Sequence, residues 1–541
     1  ESGAGKSALI ANWAKEYQEK HPGDFMVFHY IGGTADSADH VKILRRIMEE
    51  IKDRYEPKEK EGTKEHIQSM SSKEDEIPYD PKKVVEVFPL WLAKASARGR
   101  FILVLDALNQ LEDRDNAPDL GWLPEYFPEN IRVILSTLSG RSLDALEKRR
   151  LPTMRVELLS PDERKKLIEE YLARFTRRLS PKIIDHIIAA QQTANPLYLK
   201  ALLDELRVYG DYDTLENKIN DYLKAETIDD LYEKILERYE KDYERDRKGL
   251  VGDVMTLLWA SRRGLSETEI LELLGSKDNP MPRAYWSPLY LAAEESLVSR
   301  SGLLNFFHDY LRKAVEDKYL RDKEQKRLAH LRLADYFDKR ALDARKADEL
   351  PWQLRQAETR DRLRACLLDI DQFLLIQKRD EGELMGYWVW LREERVMGKG
   401  YLESFESWSG KPSNQDLSIS YAANNLAYFL LNAALHAEAE PLMRRALRID
   451  EQRFGENHPR VARDLNNLAQ LLKATNRLAE AEPLMRRALR IDEQRFGENH
   501  PRVARDLNNL AQLLKATNRL AEAEPLMRRA LRIDEQRFGE N

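Results

Sequence analysis

A single cysteine, Cys366, stands in 541 residues. One thiol allows no internal disulfide, which fits a reducing, cytoplasmic compartment. The Cys and His spacing of a metal centre is missing as well. No apolar run approaches the roughly 18 to 20 residues of a membrane span. Charge of one sign is also lacking: charged residues make up 34% of the chain, yet the net charge is only −6. The basic footprint that nucleic-acid binding leaves is therefore absent, and nucleic acid is not an expected partner. An initiator methionine is missing too, and the last residue closes a repeat, as expected of a fragment of a longer protein. What is present is apolar material enough for real cores, 42% of residues. The length suits about three to five domains.

Internal repetition organises the C-terminal part. Residues 458–499 and 500–541 are identical 42-residue units, and a diverged copy lies at 416–457 in register without a gap. Each unit reads as two antiparallel helices. Pro459 suits the first turn of helix A, Leu465, Leu468, Ala469 and Leu472 share one face, and Thr475-Asn476-Arg477 makes the turn. Helix B is expected to bury Ala479, Ala481, Leu484, Ala488, Leu489 and Ile491 and to end near Phe496-Gly497. The small residues at Ala469, Ala481 and Ala488 permit close helix approach. The unit resembles the long tetratricopeptide repeat of kinesin light chains, which implies a solenoid that binds a protein ligand. Arg460, Arg463, Lys473, Arg477, Arg486, Arg487, Arg490 and Arg495 leave each unit modestly basic, either as solvated helix faces or as a surface for an acidic ligand. Near-perfect copies point to recent duplication and a variable repeat number.

At the other end, Glu1-Ser2-Gly3-Ala4-Gly5-Lys6-Ser7 reads as a phosphate-binding loop that lacks only its first glycine. Glycines let successive N–H groups curl around phosphate oxygens, the Lys6 charge reaches the β- and γ-phosphates, and the Ser7 hydroxyl can ligate Mg²⁺. The apolar segment Ala8–Ala14 reads as the helix whose N-terminus receives the phosphate. Continuous apolar runs at 25–31, 100–106, 131–137 and 154–159 predict buried strands of a parallel sheet. Tyr55 to Lys83, rich in Lys and Glu, reads as a mobile surface insertion. Asp106, ending an apolar run, would hold Mg²⁺ through water opposite Ser7. From Ser160 to about Lys411 helical periodicity dominates, with N-terminal signals at Ser160-Pro161-Asp162-Glu163 and Ser266-Glu267-Thr268-Glu269. Leu297–Phe307 reads as a hairpin around Ser301-Gly302, and helices followed by one small hairpin make a winged helix.

Asp106-Ala107-Leu108-Asn109-Gln110-Leu111-Glu112-Asp113 resembles the Walker B region of NACHT-type signalling ATPases, where two further acids follow the metal-linked Asp. Asn109 and Gln110 stand in their places, and neither amide can take a proton from water. Hydrolysis would then be slow at most, or would depend on Glu112 or Asp113. The same resemblance implies a γ-phosphate sensor at Ser136-Thr137 with Arg141 beyond it, and an adenine contact at Pro196 within Asn195-Pro196-Leu197-Tyr198-Leu199. Phe307-His308-Asp309 resembles the Met-His-Asp motif whose histidine reaches the β-phosphate of ADP. Phosphate loop, Walker B segment, proline segment, winged helix and His-Asp follow one another in the order of the nephrocystin-type branch of the STAND ATPases.

The resemblance implies an α/β P-loop NTPase core with a parallel sheet at 1–159, a helical domain at 160–245 and a winged-helix domain at 246–325. A helical linker at 326–415 and an all-α tetratricopeptide solenoid at 416–541 complete the order. ATP or ADP with Mg²⁺ would be held by Gly3, Ala4, Gly5, Lys6, Ser7, Ala8, Ser136, Arg141, Pro196 and His308, with Ser7 and Asp106 on the metal. The function so implied is a nucleotide-regulated switch, of the kind used in bacterial signalling or defence. ADP would hold a closed monomer, and a ligand on the repeats would drive self-association. A tetratricopeptide scaffold with a passive, nucleotide-stabilised NTPase domain is the alternative, favoured by Asn109 and Gln110.

Overall fold

The computed structural model describes residues 3–32, 35–55, 77–78, 81–113, 116–211 and 213–538. They form two units, Glu1–Gln325 and Lys326–Asn541, both mostly helical. Among the described residues no helix is long and apolar enough to cross a membrane.

The first unit opens with a small parallel sheet of β1 (Phe25–Tyr30), β2 (Phe101–Asp106) and β3 (Ile131–Leu135), in that spatial order. Phe25 pairs with Phe101, Tyr30 with Asp106 and Phe101 with Ile131. Parallel neighbours cannot be joined by a tight turn. Helices His40–Tyr55 and Pro81–Arg98 lie in the β1–β2 connection and bury Ile43, Ile47, Met48, Phe88, Trp91 and Leu92 in the sheet's core. Every residue of β2 is buried, whereas its neighbours are only partly so.

Two expectations change here. The run at 154–159 forms no strand, and Met154 is 79% exposed. A buried strand needs a ladder partner and cover on both faces, and among the described residues this run has neither, so apolar content alone does not make it one. The core is accordingly a three-stranded sheet, smaller than the four runs implied. The insertion read at 55–83 lies mostly outside the described residues, while both its ends are helical, Tyr55 closing one helix and Pro81 opening the next.

Beyond residue 160 the helix starts follow local chemistry. Ser160 accepts from the Glu163 N–H while the Glu163 carboxylate accepts from the Ser160 N–H, and Ser266 with Glu269 does the same. Each box satisfies two N–H groups that a helix start leaves unpaired. Pro181 and Pro196 occupy first turns behind caps at Ser180 and Asn195. The hairpin β4 (Leu297–Arg300) and β5 (Leu303–Phe306) turns at Ser301 and Gly302, both left-handed, as a tight two-residue turn requires. Leu265 bridges to Leu304 and gives the hairpin a third edge. Between these elements lies a buried ion pair: Arg238 donates to Glu205 at 2.9 Å, and the Tyr222 hydroxyl donates to the same carboxylate at 2.6 Å.

The second unit ends in helix pairs Asp416–Asn432 with His436–Phe454, Pro459–Ala474 with Leu478–Phe496, and Pro501–Ala516 with Leu520–Phe538. His458 caps the second pair by accepting from the Arg460 N–H, and Asn476 makes the turn with φ 59°. Leu465, Leu468, Ala469, Leu472, Ala481, Ala488, Leu489 and Ile491 are buried as expected, with Leu484 half-buried against them. Ala479 is not; it is exposed, and Met485 is buried instead. The buried stripe of helix B runs 481, 485, 488, 492, and Ala479 sits roughly 200° around the helix from Ala481.

Candidate functional site

Gly3 and Gly5 adopt φ of 76° and 85°. Side chains other than glycine avoid that region, and Gly3 has a second reason. A Cβ there would lie 2.9 Å from Asn195 Oδ1, and one on Gly5 would lie 3.8 Å from Pro196 Cγ. The Leu197 N–H donates to the Gly3 carbonyl at 3.3 Å. Two helix N-termini therefore meet at this loop, those of Lys6–Lys20 and Pro196–Val208. Gly5 is the N-cap of the first of them and makes no side-chain cap hydrogen bond, and a helix N-terminus is a place that favours an anion. Ala4 is buried, while Ser7 and Ala8 are exposed. The helix itself is not embedded as its apolar sequence suggested. Ala14 is its buried residue, and Leu9 and Trp13 remain 47% and 37% exposed. Its apolar side chains are spread around the axis instead of forming one stripe.

Asp106 ends β2 with its carboxylate buried, and the Ser136 hydroxyl, buried at the end of β3, donates to it. The Leu108 N–H donates to the Ser136 carbonyl at 2.8 Å, tying the segment after β2 to the neighbouring strand. Burial, and after it the Asp106 charge, holds the Tyr30 phenol above its usual range. The two amides behind Asp106 have different fates. Asn109 keeps its Oδ1 buried without a hydrogen-bond partner. Gln110 lies on Gly32, whose φ is 78° and where a Cβ would come within 2.8 Å, and donates through Nε2 to Asp309 Oδ2 at 3.1 Å. That contact joins the tip of the sheet to the segment after the hairpin, and local sequence gives no signal for it.

His308 caps helix Asp309–Tyr319 and is half-buried. Burial first, and Lys200 second, push its imidazole down to about 4, against the opposing pull of Asp309. The ring is therefore neutral at pH 7. Between about 4 and 6.5 the unfolded chain binds a proton that the folded chain refuses, so stability from this residue is lost as pH falls through that window. Lys200 comes from the helix headed by Pro196 and pairs with Asp204 at 3.1 Å and Glu295 at 3.2 Å. The structure thus gathers the glycine loop with Asn195 and Pro196, Asp106 with Ser136, Gln110 with Asp309, and His308 with Lys200.

Arg141 stands elsewhere in its bonding. Its guanidinium forks onto Asp119 at 2.9 and 2.8 Å and meets Asp113 at 2.7 Å. Five donors in one plane are thereby largely committed to carboxylates. Asp113 and Glu112 are both exposed, and Asp113 is engaged by that arginine.

On the repeats, most of the basic residues are tied into a ladder between neighbours. Arg477 reaches Glu440, Arg519 reaches Glu482, Arg487 reaches Glu451 and Arg529 reaches Glu493, each at 2.6 Å. Arg486 pairs with Glu482 within its own helix, and Arg460 covers the Phe454 ring at 5.0 Å. Along helix A a different stripe runs with its flanks exposed and its asparagines half-buried: Arg463, Asn467 and Gln470, repeated as Arg505, Asn509 and Gln512, with Tyr421, Asn425 and Tyr428 in the first pair.

Residues 331–540 match the family described as the nephrocystin-3 TPR domain. The helix pairs are tetratricopeptide repeats. A TPR repeat-containing protein of Dictyostelium discoideum is 35% identical over 74% of this chain and 26% of its own length. Mouse nephrocystin-3 is 27% identical over 86% of this chain and 34% of its own length. This tetratricopeptide chain therefore spans about a quarter to a third of these relatives. A solved Podosopora anserina putative kinesin light chain with nearly identical TPR-like repeats shares 17% identity over 36% of this chain and 97% of that chain, with a TM-score of 0.27.

Proposed function

We propose that this chain is a tetratricopeptide scaffold, in which the repeats hold a protein partner and the first unit is a fold stabilised by a bound nucleotide. The carrying observation is the alignment of helix A stripes across three successive repeats, with half-buried Asn425, Asn467 and Asn509 at the centre and exposed residues on either side. Amide side chains at a fixed spacing suit the backbone of an extended polypeptide segment.

For the nucleotide, the residues present fit an anion: left-handed Gly3 and Gly5, with Gly5 as the N-cap of the helix that Lys6 opens. The Gly3–Ala8 backbone and Lys6 would hold the phosphates of ATP or ADP, and Ser7 with Asp106 would hold Mg²⁺. Bound there, the nucleotide supplies negative charge to the positive end of helix Lys6–Lys20. With Asn109 Oδ1 buried and Gln110 bonded to Asp309, neither amide offers a base, which suits a passive site.

Magnesium-ADP at about a hundredfold excess over its Kd is expected to stabilise the first unit by about 2.7 kcal/mol. Lys6→Ala should weaken that affinity by roughly 10 to 100-fold, the range of one charge-assisted hydrogen bond, while capture of a partner by the repeats stays unchanged. Isothermal titration and thermal melts check both. Equal stabilisation of wild type and variant, or none at all, would end the nucleotide half of the proposal.

A second reading, the STAND switch, is favoured by the Gln110–Asp309 bond and by His308 beside Lys200. A contact between sheet tip and hairpin segment is the kind that holds a closed state and that opening would break. Under this reading Gln110→Ala shifts the chain toward self-association in ATP, by several-fold in dimer or oligomer fraction for a lost bond of about 1 kcal/mol. Light scattering that shows the same mass for wild type and variant, in ATP and in ADP, leaves the scaffold alone standing.

A further inference from the structure

Four aspartates are buried inside the repeat stack. Asp450 and Asp492 lie on helices His436–Phe454 and Leu478–Phe496, and Asp464 and Asp506 lie on the next helices A, Pro459–Ala474 and Pro501–Ala516. All four are at most 1% exposed. They form two pairs, Asp450 with Asp464 and Asp492 with Asp506, at equivalent places in successive repeat junctions. Both oxygens of Asp450 and of Asp492, and Oδ2 of Asp464 and Asp506, have no hydrogen-bond donor. Carboxylates facing each other accept only, so two ionised groups leave a buried bond unmade and two like charges unscreened.

We propose that each junction between these repeats is closed by one proton shared across its aspartate pair, and that the solenoid loosens at every such junction as pH rises above neutrality.

The surrounding groups argue for a proton over an ion pair. Arg463 stands 3.0 Å from Asp464 and 3.8 Å from Asp450, and Arg505 stands 3.2 Å from Asp506 and 3.7 Å from Asp492. Each of these guanidiniums is about half exposed, at 48% and 51%, so water competes for it. Arg502 and His500 also face Asp492. Asn466 donates to Asp506 at 2.8 Å, whereas its counterpart in the preceding repeat, Asn424, leaves both amide atoms unbonded. Burial outweighs the arginines and pushes Asp464 and Asp506 up to about 7, with Asp492 also raised. A carboxyl whose folded value is raised stabilises the fold below its unfolded value, and that contribution is lost as pH rises through the folded one. Asp450–Asp464 and Asp492–Asp506 recur with the 42-residue period, so each added copy of the unit adds another proton-dependent joint.

Hydrogen exchange of the whole chain tests this, with rates corrected for intrinsic chemistry. Peptides spanning residues 448–465 and 490–507 have the same sequence and report both junctions together. Their protection is expected to fall about tenfold between pH 6 and pH 8.5, the loss of about one proton per junction across roughly one unit. In Asp464→Asn with Asp506→Asn, the amide supplies its own N–H, and protection should become independent of pH. Asp450→Asn with Asp492→Asn serves if the first variant does not fold. A flat wild-type profile overturns the proposal. So does a pH effect that survives in either Asn variant, since it would then belong to His500 and the other histidines.

Discussion

Replacing Glu205 with alanine should cost the first unit about 3 kcal/mol or more of stability, because it strands Arg238 in the interior. The two side chains are 4% and 10% exposed, and Arg238 keeps a partial alternative in Asp242 at 3.1 Å, itself 40% exposed. The same carboxylate accepts from Tyr222, so alanine also orphans a buried hydroxyl. Burial is the first cause that holds that phenol above its ordinary range, and it persists in the variant, so the hydroxyl would remain neutral and unbonded. Glu205→Leu combined with Arg238→Met removes both charges and should recover most of the loss, since a buried ion pair is worth little against a packed apolar pair. Guanidinium denaturation, with exchange in helix Ile228–Tyr243 to localise the effect, measures both. If the single variant costs as little as the double, the pair is not a determinant of this unit.

Gly264→Ala is expected to be comparably damaging, at about 2 to 4 kcal/mol. Gly264 has φ of 94°, and a Cβ there would fall 2.3 Å from the Leu304 carbonyl oxygen. Backbone cannot rotate away as a side chain can. Relief would separate residues 264–265 from β5 and break the bridge in which the Leu265 N–H donates to Leu304 at 3.0 Å and the Leu304 N–H donates back at 2.8 Å. Left-handed strain and two lost bonds account for the size. Gly302→Ala supplies the contrast. Its φ is 79°, yet nothing lies within 4 Å of the new Cβ, so only the conformational penalty of about 1 kcal/mol remains. Similar denaturation midpoints for the two variants would show that the close approach at Leu304 is not what demands glycine.

Local chemistry in this chain is largely readable along the sequence. Capping boxes at Ser160 and Ser266 need only residues three apart, and the hairpin turn needs only Ser301-Gly302. The repeats are legible for a related reason, since a solenoid is stabilised by nearest neighbours, and its contacts recur at one sequence distance. The misreadings share a cause. Met154–Leu159 has the apolar content of a strand but no ladder partner among the described residues, and helix Lys6–Lys20 has apolar residues but no single face to bury. Ala479 fails on rotation by roughly two positions. In each case hydrophobicity was visible and the surface to receive it was not.

The candidate nucleotide site divides the same way. Glycines and lysine at the loop, and an acid at the end of an apolar run, are one-dimensional patterns with a direct physical meaning. The neighbours of those residues are not patterned. Arg141 is committed to Asp119 and Asp113, Gln110 crosses to Asp309, and Pro196 meets Gly5, through approaches that depend on how distant segments pack. By itself, then, the sequence determined the repeat unit, its register and the helix caps, because each arises from contacts close along the chain. Only the tertiary structure decided which strands form, what Gln110 and His308 touch, and that Asp450–Asp464 and Asp492–Asp506 meet away from water. Burial and long-range pairing are properties of assembled surfaces, and a single helix or strand does not carry them.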